Sequence, residues 1–194
     1  MLKLSIIIVS WNCRELLQKC LASISRFPLN KGEHKEVEII IVDNNSTDGT
    51  QQMLKTKLAK SDGRRILQDG IKLIFNHHNL GFAKGNNIGL EQTRGEYILL
   101  LNPDTEITEN SLQTMIEFMD ERDKCGVLGP KLLNPDGSLQ LSVRQFPTLI
   151  PQLLILAKLH NFFTRLKTLR DYYQLDFDYG NAQQVDQVMG ATLM

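Results

Sequence analysis

The chain is 194 residues long, 42% hydrophobic and 23% charged, and its 22 basic and 22 acidic residues cancel to a formal net charge of +0. This balance leaves no electrostatic footprint for nucleic acid, and the length suits a single domain with a sizeable core. Three cysteines, Cys13, Cys20 and Cys125, match no zinc spacing and are odd in number, so they read as reduced thiols in a cytoplasmic protein.

The first apolar run, SIIIVSWN at 5–12, starts a few residues from Met1 with no charged leader or cleavage site, which argues against export. A run of Ile and Val this continuous reads as a strand buried on both faces, the mark of a parallel sheet covered by helices. A helix follows over 13–27, with Leu16, Leu17, Cys20, Leu21 and Ile24 at helical spacing, and Pro28 and Gly32 mark a loop. The second strand lies in VEIIIVDNNSTDGT at 37–50. Ser46 or Thr47 is the expected cap of a helix reaching about Ala59, with Met53, Leu54 and Leu58 on one face. A third strand at 71–76 follows the Asp69-Gly70 turn. Gly81 and Gly85 open a further helix through about Thr93, and Gly95 stops it before the strand YILLLN at 97–102. Strand alternating with helix makes the fold class α/β.

Beyond Asp104 the pattern changes. Residues 109–122 form an amphipathic helix with Leu112, Met115, Ile116 and Met119 facing inward, and 127–143 read as a hairpin about Asn134-Pro135-Asp136-Gly137. Residues 148–170 are an amphipathic helix or an apolar loop, 171–184 are aromatic and polar, and VDQVMGATLM at 185–194 begins another strand. The stretch LIPQLLILAKL is broken by Pro151 and Lys158 and falls short of the roughly 20 apolar residues that a spanning helix needs.

In parallel α/β sheets ligands bind beyond the carboxyl ends of the strands, so Ser10, Asn12, Asp43, Asn44, Asn102 and Asp104 should share one edge. Two carboxylates with amides and a hydroxyl suit a polar, phosphorylated ligand and a cation. The tripeptide Asn-Pro-Asp occurs twice. At 134–136 the following Gly137 makes it a turn; at 102–104 it ends a buried strand, where Asp104 either binds a cation or ligand or caps a helix. Gly81, Gly85 and Gly89 allow close backbone approach to a ligand, although Gly-Phe-Ala-Lys-Gly is neither a P-loop nor a dinucleotide fingerprint. Lys84 is open between a ligand contact and a solvated face, His77 and His78 read as loop or wall, and Trp11 as packing or pocket wall.

With these residues laid out, the chain resembles the family 2 glycosyltransferases of the GT-A fold, most closely their rhamnosyltransferase-like branch. The matching pieces are SIIIVSWNCRELLQKCLASI, EIIIVDNNSTDGT, NLGFAKGNNIGL and YILLLNPDTEI, with GPKLLNPDGSLQLSVRQFP and VMGATLM matching more loosely. The resemblance implies a mostly parallel sheet flanked by helices, with a C-terminal hairpin and an acceptor-side segment. It also implies one domain over 1–194, with a donor-binding half at 1–110 and an incomplete acceptor-binding half at 111–194. The implied reaction moves a sugar from a dTDP- or UDP-linked donor, rhamnose being one candidate, to a saccharide or lipid-linked acceptor hydroxyl with inversion. The setting would be bacterial cell-surface polysaccharide synthesis. Mg²⁺ or Mn²⁺ is the implied cofactor, with Asp104 as its ligand and Asn102 at the first position of the family's Asp-x-Asp motif. The donor would lie against Ser10, Asn12, Asp43, Asn45 and Asp48, with Gly81 and Asn87 as further contacts, and Gly190-Ala191 would mark the acceptor side.

Two features depart from the family pattern. Asn102 replaces a carboxylate, and no Asp or Glu follows Val188, where the resemblance places the general base. The expectation is therefore a chain that binds donor and lacks the base for transfer. The alternative is a non-catalytic sugar-nucleotide-binding module; a nucleotidyltransferase would need a Gly-rich, basic loop after the first strand, which SWNCREL lacks. The stretch 149–169 is read first as a buried helix and otherwise, through Lys158, Arg165, Lys167 and Arg170, as a peripheral contact with the inner face of the plasma membrane. Oligomeric state is not encoded in any of these patterns.

Overall fold

A computed structural model describes residues 2–27, 37–59, 70–159 and 166–194. Pro28, Gly32, Asp69, Arg165 and the side chain of Leu58, which carried expectations above, lie outside the described residues. The chain forms two compact units, 1–128 with 190–194, and 129–189.

The first unit is built on a five-stranded sheet in the order β3-β2-β1-β4-β9. Strands β1 (Leu4–Ser10), β2 (Val37–Asp43), β3 (Ile71–Phe75) and β4 (Tyr97–Leu101) are parallel, and β9 (Thr192–Leu193) joins the edge antiparallel to β4. Every residue of β1 is buried, because alternate side chains enter two separate apolar layers. On one face Leu4, Ile6, Ile8, Ile39 and Ile41 pack with α1 (Arg14–Arg26), α2 (Thr50–Ala59) and α4 (Ser111–Asp120), through Leu17, Cys20, Leu54 and Leu112 among others. On the other, Ile7, Val9, Ile40 and Val42 meet α3 (Phe82–Leu90).

Helix α3 lies close on β1 because it has glycine where it touches. A Cβ on Gly85 would stand 2.8 Å from Val9 Cγ1, and one on Gly89 2.5 Å from Ile7 Cγ2. These two glycines therefore serve helix-on-sheet packing, where the sequence suggested approach to a ligand. The helix ends at Leu90, short of Thr93. Gly95 belongs instead to the entry of β4, where a Cβ would fall 2.5 Å from the Ser5 amide nitrogen.

At the amino-terminal end of the sheet the Glu38 carboxylate is 1% exposed and fully engaged. It accepts bonds from the Ser5 hydroxyl (2.7 Å) and the Arg94 amide (2.6 Å), and pairs with Arg94 (3.3 Å) and Lys72 (3.7 Å). Burial alone would raise its pKa; the Ser5 hydroxyl, the Arg94 amide and the two cations outweigh that and hold it below the ordinary glutamate value.

The second unit contains the expected hairpin, β5 (Leu132–Leu133) with β6 (Leu139–Gln140), closed by Gly137 N donating to Asn134 O at 2.9 Å. Gly137 takes φ +82°, and Asp136 Oδ1 accepts the Ser138 amide at 2.9 Å, so local turn chemistry accounts for this copy of Asn-Pro-Asp. Strand β7 (Val143–Arg144) pairs with β8 (Gln187–Val188), and the Tyr179 hydroxyl accepts the Ser142 and Val143 amides at 2.8 and 3.1 Å. Helices α5 (Leu149–Leu156) and α6 (Lys167–Tyr173) complete the unit. The single strand expected over 185–194 is two short ones, since at Gly190 the chain passes from one unit into the other.

Candidate active site

The carboxyl ends of β1, β2 and β4 lie side by side in the first unit, and each releases a polar loop. After β2, Asp43 is fully buried and turned inward. Its Oδ1 accepts the Ser46 amide (2.9 Å) and Gln51 Nε2 (2.8 Å), while Oδ2 accepts the hydroxyls of Ser10 (3.0 Å) and Ser46 (2.5 Å). A carboxylate offers about four acceptor positions, so a ligand bond to Asp43 would replace one of these. Ser10 is likewise buried and committed to Asp43.

The loop after β1 is tied to the loop after β2. Asn12, at φ +48°, accepts the Thr47 amide through Oδ1 at 2.7 Å, and its own amide donates to Ser46 Oγ at 2.9 Å. Asp48, expected as a donor contact, also bridges backbone: Oδ2 accepts the Arg14 amide at 2.9 Å, and Oδ1 the Thr50 amide at 3.0 Å. Burial pushes the Asp48 pKa up, but the Thr50 hydroxyl and the two amides prevail and hold it below the ordinary aspartate value. Asp48 thus starts α2, whereas of the two expected caps Ser46 is held by Asp43 and Thr47 by Asn12. Asn45 stands exposed at φ +62° with no hydrogen bond among the described residues.

The glycine-rich loop is anchored by two amides that sequence reasoning did not connect. Asn76 donates to Asn44 Oδ1 at 2.8 Å, and Asn44 Nδ2 donates to Gly81 O at 3.2 Å. Gly81 has φ +82° and open space above its Cα. Trp11, in the loop after β1, is 56% exposed. Asn87, Lys84, His77 and His78 are exposed.

The end of β4 is different in kind. Asn102 is fixed by its backbone, its amide donating to Ala191 O at 2.9 Å and its carbonyl accepting the Thr105 amide at 3.1 Å. Its side-chain Oδ1 is buried and has no hydrogen-bond partner among the described residues. Asp104, two residues on, is exposed and makes no hydrogen bond or ion pair among the described residues. Ala191 is thereby placed directly against the Asn-Pro-Asp turn, with Gly190 exposed beside it.

Cys13, the residue before α1, reports on the electrostatics of this edge. Burial raises its pKa most, a hydrogen bond to the Trp11 backbone works against that, and the carboxylates of Asp48, Asp43 and Asp104 add to the rise. Burial also pushes the Cys20 thiol up to about 12, which keeps it protonated at neutral pH. Among the described residues no three His, Cys, Asp or Glu side chains are grouped to hold a metal. The donors available to a cation are Asp104 and Asn102 Oδ1, a set that calls for further oxygens from a ligand such as a diphosphate.

A parallel sheet with polar loops at this edge, and an antiparallel strand laid beside the Asn-Pro-Asp turn, is the GT-A fold. The chain belongs to glycosyl transferase family 2, whose family model matches residues 5–183. It is 33% identical over 138 residues to the GalNAc(5)-diNAcBac-PP-undecaprenol β-1,3-glucosyltransferase of Campylobacter jejuni, covering 71% of this chain and 40% of that protein. It is 28% identical over 158 residues to the N-acetylglucosaminyl-diphospho-decaprenol L-rhamnosyltransferase of Mycobacterium tuberculosis, covering 76% of this chain and 47% of that one. The chain thus spans less than half the length of these relatives. The crystal structure of Staphylococcus aureus TarS 1–349 in complex with UDP-GlcNAc superimposes with a TM-score of 0.58 at 27% identity, over 74% of this chain and 39% of that one.

Proposed function

We propose that this chain carries the donor-binding part of an inverting glycosyltransferase of bacterial cell-surface polysaccharide synthesis. The observation that carries the reading is the end of β4, where among the described residues the buried Asn102 Oδ1 lacks a partner and Asp104 is unpaired, on the edge shared with the β1 and β2 loops. A buried acceptor left open costs about 1–3 kcal/mol unless a ligand or water completes it. Residues 1–110 form the donor half and 111–194 part of the acceptor half. The donor is a nucleotide-diphospho-sugar, UDP- or dTDP-linked, with its nucleoside along Trp11, Asn12, Asn45 and Gly81 and with Asn87 nearby. UDP-GlcNAc in a TarS complex and an L-rhamnosyltransferase among the relatives support that class.

Asp104 and Asn102 Oδ1 would hold Mg²⁺ or Mn²⁺, which when bound neutralises charge on the departing diphosphate. In the transfer an acceptor hydroxyl oxygen bonds to the sugar C1 as the C1–O bond to the diphosphate breaks from the opposite side, and the hydroxyl proton passes to a base. Gly190 and Ala191, held against Asn102, line the acceptor side. The acceptor is a saccharide, lipid-linked as the names of both relatives indicate for their own, and the reaction runs at the cytoplasmic face of the plasma membrane.

Calorimetry with UDP and dTDP, with and without Mn²⁺, tests the site. Asp104→Ala should remove the metal-dependent gain in affinity and leave the fold intact. Asp136→Ala, in the turn copy of the tripeptide, should leave affinity unchanged. A metal-dependent gain that survives Asp104→Ala overturns the assignment.

A further inference from the structure

Helix α5 turns an apolar side to water. Its sequence, LIPQLLIL, carries no charge, and Leu149, Ile150, Leu153 and Leu156 are 74%, 57%, 54% and 82% exposed. At about 100° per residue these four fall within roughly 120° of arc. Pro151 on the opposite side is buried, with Leu154 and Ile155 half-buried around it. The buried helix expected from the sequence is therefore buried along one side only. Exposed apolar surface of this extent marks an interaction site in a soluble protein.

The charge of the chain segment that carries it points to the partner. From Asp136 to Asp171 the chain contains no other acidic residue, while Arg144, Lys158, Arg165, Lys167 and Arg170 fall between them, in a protein whose charges balance overall. Two of these cations are engaged internally: Arg144 donates to the Val143 carbonyl at 2.7 Å, and Arg170 pairs with Asp176 at 2.8 Å. Lys158, just past the end of α5, and Lys167, at the start of α6, are exposed and have no ion-pair partner among the described residues.

We infer that the exposed side of α5 is a docking surface for an anionic lipid bilayer. Leu149, Ile150, Leu153 and Leu156 enter the boundary between headgroups and acyl chains, while Lys158 and Lys167 meet lipid phosphates. A second copy of the chain fits this surface poorly, because pairing like with like would set these lysines against each other. No helix among the described residues is long and apolar enough to cross a membrane, so the contact is peripheral. The inference does not depend on the transfer reaction, and its test contains no sugar nucleotide.

The test is co-sedimentation of the 194-residue chain with phosphatidylcholine vesicles, with and without about one-quarter phosphatidylglycerol, at low and high salt. The chain should pellet with the anionic vesicles at low salt and remain largely in solution with phosphatidylcholine alone. Lys158→Gln and Lys167→Gln should each lower partitioning about fivefold, the factor equivalent to roughly 1 kcal/mol per charge near an anionic surface. Leu153→Glu and Leu156→Glu should abolish binding, and as both side chains are solvent-exposed their urea midpoints should match the parent's. Equal pelleting with neutral and anionic vesicles, or undiminished pelleting of the leucine variants, overturns the proposal. So does a dimer in solution that Leu153→Glu dissociates, which would show that a second copy covers the surface.

Discussion

Asp43 offers the sharpest test of how the site is built, because its carboxylate is wholly engaged by the protein. In Asp43→Ala the Ser46 amide and the Gln51 side-chain amide, both donors to Oδ1, lose a charged acceptor. Such bonds contribute about 1.5–3 kcal/mol each, while the Ser10 and Ser46 hydroxyls can rotate toward other acceptors, so the expected loss is about 3–5 kcal/mol. Asp43→Asn behaves differently. Its remaining oxygen can serve the two nitrogen donors while its NH2 faces the two hydroxyls, which turn to accept, so only charge assistance is lost, about 1–2 kcal/mol. Urea denaturation of the three proteins, read at constant m, gives these values, and UDP titration gives the functional arm. With the loop after β2 still in place, Asp43→Asn should keep UDP affinity within about threefold of the parent, a difference below 1 kcal/mol. Stability of Asp43→Ala within about 0.5 kcal/mol of the parent would refute the scaffold argument. An Asp43→Asn protein that is stable but has lost nucleotide binding would assign Asp43 a direct ligand contact.

Two further outcomes follow from the packing. Glu38 has a folded pKa below its unfolded value of about 4.3, so its contribution to stability is complete above that pH and is lost as pH falls through the folded pKa. The stability gap between the parent and Glu38→Gln should hold from neutral pH to about pH 5.5 and narrow below it; a gap unchanged down to about pH 3 would contradict the shift. Gly89→Ala forces a methyl to 2.5 Å from Ile7 Cγ2 and should cost about 1–3 kcal/mol in thermal or urea unfolding, whereas no loss would mean that α3 stands off the sheet.

The strands β1, β2 and β4 were legible because burial on both faces forces continuous Ile, Leu and Val runs, a pattern with few competing readings. The hairpin at 132–140 was legible for a different reason: Pro, Asp and Gly at consecutive turn positions encode their own backbone. The two-residue strands β7, β8 and β9 have no such signature, since each is defined by a partner far along the chain. The start of α2 was misplaced because Ser46, Thr47, Asp48 and Thr50 are all competent caps. What decides among them is Asp43 claiming Ser46, and Asp48 reaching the Arg14 amide 34 residues away. Gly85 and Gly89 were misassigned because a glycine that admits a ligand and one that admits a strand look alike in sequence; only Val9 and Ile7 distinguish them.

The same ambiguity separates two classes of polar residue at the candidate site, and the structure resolves it by what each side chain touches. Ser10, Asn12, Asp43, Ser46 and Asp48 spend their hydrogen-bonding capacity on one another and on backbone amides, which fixes the loops after β1 and β2 before any ligand arrives. Asn102 is held by its backbone while its Oδ1, like the side chains of the exposed Asp104 and Asn45, stays without a protein partner among the described residues. Preorganised loops keep a weak ligand contact from being spent on ordering the chain, and open donors and acceptors on a rigid strand end are where binding energy can be realised. The two classes should therefore part under mutation. Truncations of the inward set that release the loops, such as Asp43→Ala, should lower stability and ligand affinity together, whereas changes at Asp104 and Asn45 should lower affinity with the unfolding midpoint unmoved, and changes at Asn102 should lower affinity with no loss of stability.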